Sequence, residues 1–288
     1  MVIFVRTSLV VVVSLLAAVA LTTAPTARAA TPPPSRAMWV WDKADPTQLV
    51  ADAATRGVRD LYVSVTPTVA TDGDLPRLQE LAKLAAPAGI RLLALGGDPS
   101  WTTNPAAAIA WQRAALGTGL FAASHVDVEP YLLAGWSNTR TRATLVKGYV
   151  ELLTRLQLDS SATLEVDIPF WYNTISSAKR GRTLADDVLA RVDAVTVMSY
   201  RDSAAGILDV GRDVLDRADA LAATGRRVPV RLAAETNPLP DCDHCTFAQE
   251  GSAALDLALA TVDAANAARP SYAGMAVHDH LGWLALRP

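Results

Sequence analysis

Ser124-His125-Val126-Asp127-Val128-Glu129-Pro130-Tyr131 alternates apolar and ionisable residues with period two. In an extended strand this pattern sends Val126 and Val128 to one face and His125, Asp127 and Glu129 to the other. Ionisable side chains are seldom buried without a partner or a task. A strand that loads three of them onto one face is therefore expected to deliver them to a site.

On both sides of this stretch the sequence keeps a strand-then-helix rhythm. Strands are predicted over 37–42, 60–65 and 91–95, with helices over 46–56, 75–88 and after Asn104. Asp45 reads as the first N-cap, and Gly57 and Gly89 as helix stops. The opening stretch is the fourth strand, and Asn138 caps a long helix reaching about Leu158. Strands five to eight are predicted over 163–168, 194–200, 228–235 and 274–278. The intervening helices cover 184–191 and 207–224, and a last one begins at the capping box Thr246-Phe247-Ala248-Gln249 and runs to about Ala267. Eight strands joined by helices read as one (β/α)8 barrel of the α/β class over 37–288. An open doubly wound sheet usually closes with fewer strands, and no glycine-rich phosphate loop follows the first strand.

The N-terminus reads differently. A short basic segment ending at Arg6, an apolar run from Ser8 to Leu21 and the small-x-small triplet Ala27-Arg28-Ala29 predict a secretory signal peptide over 1–29. The apolar run is too short for a membrane anchor. A proline-rich linker is expected over 30–36. The protein is thus expected to be extracellular and monomeric, from a bacterium with a GC-rich genome. The net charge of −3 with scattered basic residues argues against nucleic acid as a partner. Cys242 and Cys245 are the two cysteines, and in an exported chain they are expected to form a local disulfide.

Alternation applied to every strand leaves a polar set facing the barrel interior, which includes Trp39, Trp41, Tyr62, His125, Asp127, Glu129, Glu165, Asp167, Tyr200, Arg231, Glu235, His278 and His280. Members at C-terminal strand ends lie where active sites of this fold occur. Lower members, Glu165 and Arg231, are expected to pair as ions. Glu129, followed by Pro130, and Glu235 share parity at the ends of strands four and seven. Opposed carboxylates at a barrel mouth are the equipment of glycoside hydrolysis, one protonating the leaving oxygen while the other attacks or activates water.

Several motifs resemble family 18 chitinase-type glycoside hydrolases. Leu93-Ala94-Leu95-Gly96-Gly97 is similar to their third-strand Gly-Gly motif, Asp127-Val128-Glu129 to the end of their fourth-strand motif, and Met198-Ser199-Tyr200 to their Met-x-Tyr. Trp283 is similar to the tryptophan that floors their sugar site. The resemblance implies Glu129 as general acid, Asp127 as the partner that orients a substrate acetamide, and Tyr200 as a donor to it. The chain departs from that pattern in carrying Ala122 and His125 in place of aspartates, and Arg201 where an aspartate is usual, with Asp202 one residue later. Glu129-Pro130 and Glu235 are also similar to the acid/base and nucleophile of the retaining superfamily of cellulases and β-galactosidases, although Val128 stands where an asparagine usually precedes the acid.

Aromatic residues at strand ends, among them Trp39, Trp41, Trp101, Trp136, Trp171 and Trp283, suit stacking on sugar faces. Asp167, Asp202, His278 and His280 are expected to complete a carbohydrate site, with no cofactor and no metal. Two other readings stand beside this one: a non-catalytic carbohydrate-binding barrel, and a metal-dependent hydrolase using His125, His278 and His280.

Overall fold

The computed structural model describes residues 35–177 and 179–288. The expected signal peptide and most of the expected linker lie outside them. Eight parallel strands close into a barrel: β1 (Arg36–Val40), β2 (Val58–Ser64), β3 (Arg91–Gly96), β4 (Ala123–Val126), β5 (Thr163–Pro169), β6 (Ala194–Met198), β7 (Val230–Glu235) and β8 (Tyr272–His278). β8 pairs back onto β1 through Ala37↔Ala276 and Met38↔Val277. The helices are α1 (Pro46–Thr55), α2 (Leu75–Ala85), α3 (Pro105–Gly117), α4 (Thr139–Asp159), α5 (Leu184–Leu189), α6 (Ala204–Ala223), α7 (Ser252–Asn266) and α8 (His280–Ala285). The (β/α)8 barrel read from the sequence is the observed architecture.

Strand alternation divides the apolar residues into two layers. Met38, Val40, Leu61, Val63, Ala94, Val126, Val166 and Val197 point outward into the main core beneath the helices. Burying each large side chain of that layer is worth about 1.5–3 kcal/mol. Trp39, Tyr62, Leu93, Leu95, Ala123, Ala233 and Ala276 form a smaller cluster inside the barrel.

Two caps predicted from the sequence are in place. Asp45 accepts from the Gln48 amide, and Asn138 from those of Arg140 and Thr141. The start predicted for the last long helix is not. Thr246 donates its hydroxyl to the Glu235 carbonyl at 3.4 Å, and the Phe247 amide donates to the same oxygen at 2.9 Å. The segment read as a capping box is thus bound to the end of β7, and α7 begins six residues later, after Gly251 at φ 87°. α8 was not read from the sequence, since its six residues are too few to show periodicity.

The ion pair expected between Glu165 and Arg231 is also absent. Arg231 instead pairs with Asp60 of β2, and donates to the Ser35 hydroxyl and the Ala273 carbonyl at 3.0 and 3.1 Å. Asp60 takes a second guanidinium from Arg91 at 2.7 Å. Strand two begins two residues earlier than predicted, at Val58, and Asp60, which shares the parity of Tyr62, faces the lower barrel interior as a closer partner for Arg231. Cys242 and Cys245 lie at disulfide distance, with S–S 2.02 Å. Among the described residues, no helix is long and apolar enough to cross a membrane.

Candidate active site

The site is organised by the end of β4. The β ladder stops at Val126, but the Asp127 amide still donates to the Gly96 carbonyl at 3.0 Å, so the extended course persists one step beyond the sheet. Glu129 then precedes a short 3-10 turn over Pro130–Leu132. The Gly96-Gly97 pair makes this path possible. A Cβ on Gly97 would lie 2.0 Å from the Asp127 carbonyl oxygen, and one on Gly96 would lie 2.3 Å from the Trp111 indole.

Glu129 is half-buried, and its Oε1 accepts a hydrogen bond from the Tyr131 hydroxyl. Burial raises the Glu129 carboxyl above the ordinary carboxylate range, the Tyr131 bond opposes this, and the nearby Asp167 charge adds to it. Asp127 is raised more strongly, first by burial and then by Asp167 and Glu129. Its Oδ1 is buried and has no partner, as are the hydroxyls of Tyr149 and Tyr172, whose rings lie 6.0 Å apart. Trp171 packs edge-on against Tyr131 at 5.1 Å and Trp136 at 6.2 Å, giving Glu129 an aromatic flank.

Beneath this acid pair sits a second layer. His125 is fully buried, with Nε2 2.9 Å from Asp167 Oδ1 and Nδ1 3.7 Å from Glu165 Oε2. Neither contact is aligned as a linear hydrogen bond, so the attraction is mainly charge on charge. Burial alone would lower this imidazole, but Asp167 and Glu165 overcome it and raise the pKa to about 9. The ring stacks on Tyr62 at 3.6 Å, and Trp39 donates its indole N–H to Asp167 Oδ2 at 3.0 Å. Trp39 and Asp167, expected to bind substrate, are 1% and 2% exposed and act as the support under the mouth.

Across the mouth, Glu235 is 3% exposed. Its Oε1 accepts from the amides of Thr236 and Asn237 at 2.8 and 2.7 Å and from Asn237 Nδ2 at 3.0 Å. Its Oε2 lies 2.8 Å from His278 Nδ1. On the other side of the ring, His278 Nε2 accepts from the Trp41 indole N–H at 2.9 Å. Burial would lower the His278 pKa, but Glu235, Asp279 and Asp127 hold it above the ordinary histidine value. Tyr200, half-buried, places its ring 6.1 Å from that of His278. Trp41 also borders a recess lined by Gly96, Gly97, Asp98 and Trp101.

Two residues expected at the site lie elsewhere. His280 faces away, with Nδ1 3.2 Å from Asp42 and Nε2 3.3 Å from Asp52, because the chain turns into α8 immediately after β8. Trp283 is 4% exposed under the Arg56 guanidinium and packs against α1 instead of flooring the mouth. His125, His278 and His280 each face a different set of carboxylates and do not converge, which removes the geometry of the metal reading. Among the described residues, the cluster with metal-ligand spacing is Cys242, His244 and Cys245. Asp202 is half-buried after β6, its amide bonded to the His244 carbonyl, while Arg201 lies over the Phe170 ring at 4.8 Å. The sequence reading missed the pairing of Tyr131 with Glu129, although Tyr131 sits in the opening stretch. It also missed Tyr149, which a helical stripe presents as ordinary core.

No family model matches this sequence, and no curated protein matches it. Solved structures do share the fold. A chitinase from Chromobacterium violaceum superposes with a TM-score of 0.52 at 13% identity, over 88% of this chain and 97% of that one. The spore cortex-lytic enzyme SleL of Bacillus megaterium gives 0.53 at 12% identity, over 88% of this chain and 71% of that one. A GH18 chitinase from Pseudoalteromonas aurantia gives 0.53 at 11%, over 85% and 94%. At these identities the likeness is one of barrel architecture.

Proposed function

We propose that the chain is a secreted glycoside hydrolase acting on an extracellular or cell-wall polysaccharide, with Glu129 as general acid. The observation that carries this reading is the acid pair at the mouth. Glu129 is held above the ordinary carboxylate range beside an aromatic flank, over an Asp127 whose Oδ1 is buried and unpartnered. A carboxyl that keeps its proton toward neutral pH can protonate the glycosidic oxygen as the bond breaks. In this reading Asp127 and Tyr200 orient the sugar, Trp41, Trp171 and His278 supply binding surface, and Asp202 contributes a further polar contact. The structural neighbours named as chitinases and a cortex-lytic enzyme support a glycan substrate, and the signal-peptide pattern over 1–29 supports export.

The test is a hydrolysis panel with the purified protein on chitin oligosaccharides, cello-oligosaccharides, xylan and peptidoglycan. New reducing ends from at least one of them are expected. Glycan retention without turnover would replace this reading with that of a binding barrel.

A further inference from the structure

We infer that His278, oriented by Glu235, is the general base that takes a proton from the attacking water, an assignment that rests on the hydrolase reading above and extends it. Glu235 is badly placed to attack a sugar carbon itself. It is 3% exposed, Oε1 is occupied by three donors, and Oε2 lies against His278. A carboxylate with one oxygen saturated by donors and the other against an imidazole serves better to orient that neighbour, as the aspartate does in a Ser-His-Asp triad.

The heavy atoms assign the imidazole. Nδ1 stands 2.8 Å from a carboxylate oxygen, off the line of a hydrogen bond, and two lone pairs would repel at that distance, so the proton is assigned to Nδ1. Nε2 stands 2.9 Å from the Trp41 indole nitrogen, which can only donate, so Nε2 carries the lone pair. With Nε2 accepting, this is the arrangement of the neutral ring, which Glu235, Asp279 and Asp127 make readier to take a second proton, and an N–H from Trp41 stands where a water O–H would stand. Trp41 is 41% exposed, so this cover can be displaced by substrate and water. The groups that face His278 are Glu235 from β7, Asp279 beside it, Asp127 just after β4, Tyr200 after β6, and Trp39 and Trp41 from β1 and just beyond it.

In the step, the water oxygen bonds to the anomeric carbon as the bond from that carbon to the leaving oxygen breaks. One water proton passes to His278 Nε2 and the Glu129 proton passes to the leaving oxygen. Both groups then exchange with solvent to reset. A single displacement of this kind inverts the anomeric centre, whereas attack by Glu235 or by a substrate acetamide would retain it.

The experiment has two arms, using whichever glycan of the panel is cleaved. Proton NMR of the first-formed product from the wild-type chain should show the inverted anomer; a retained anomer overturns the assignment and leaves Glu129 as acid. His278→Gln, checked for folding by its thermal transition, should lose about 10²–10⁴-fold in kcat. It should also lose the fall in activity at acid pH that protonation of His278 imposes on the wild type. A near wild-type kcat or an unchanged acid-side fall overturns the assignment. The NMR arm needs no variant, so a His278→Gln chain that does not fold leaves the question decidable. If the wild-type protein cleaves nothing in the panel, the hydrolase reading fails and this assignment fails with it.

Discussion

Glu129 and Tyr131 are two residues apart, yet their bond forms because Pro130 starts the 3-10 turn that folds the tyrosine back over the carboxylate. That bond lowers the Glu129 pKa against the rise from burial. Replacing Tyr131 with Phe removes the lowering contribution, so the alkaline limb of the pH–rate profile should move to higher pH; an alkaline limb that stays in place would separate Tyr131 from the acid. His125 gives a prediction about stability in place of rate. Its folded pKa of about 9 lies above the ordinary 6.5, so the folded state binds the proton more tightly than the unfolded chain does. This contribution is complete below about pH 6.5 and disappears as pH rises through about 9. The urea midpoint should therefore fall from pH 6 to pH 9 at constant m-value, and His125→Asn should flatten that slope.

At the scale of elements, the decisive contact is between β3 and the end of β4. Gly97 has no freedom to accept a side chain, because a Cβ there meets the Asp127 carbonyl at 2.0 Å. Gly97→Ala should displace the Asp127–Glu129 segment, costing about 1–3 kcal/mol by analogy with other overpacked sites. Calorimetry should show the lost stability, and activity should fall further than the fraction unfolded explains. The sequence made much of this legible. The period-two alternation of 124–129 located the mouth, and the Gly-Gly pair, noticed as a motif, has its physical cause in this close approach. What was not legible depended on contacts distant in sequence. Thr246 looked like a cap because its spacing fits one, and only the proximity of the Glu235 carbonyl shows where its hydroxyl goes. His278 and His280 share parity on paper, but the turn into α8 sends them to opposite destinations, one to Glu235 and the other to Asp42 and Asp52. Trp283 left the site for the same reason.

Over the whole molecule the barrel is divided by depth. Its lower end is tied by Arg231, Asp60 and Arg91, its middle by His125, Asp167 and Glu165, and its mouth carries Asp127, Glu129, Glu235 and His278. His280 is the clasp that holds α8 to α1 and so helps close the ring between β8 and β1. Because it lies away from the mouth, His280→Ala should destabilise the chain by about 1–3 kcal/mol, as expected when buried polar partners are left unpaired, with kcat of the folded fraction unchanged. Asp60→Ala should be worse, about 3–5 kcal/mol, since it leaves a buried guanidinium without its counterion. Thermal unfolding beside a rate measurement on each variant separates these structural ties from the chemistry above them. The central claim is that the whole scaffold serves the Glu129 proton. It is tested most directly by the turnover of Glu129→Gln on a glycan that the wild type cleaves. The account predicts a loss of several orders of magnitude with the thermal transition intact, and a folded Glu129→Gln protein turning over at close to the wild-type rate would contradict it.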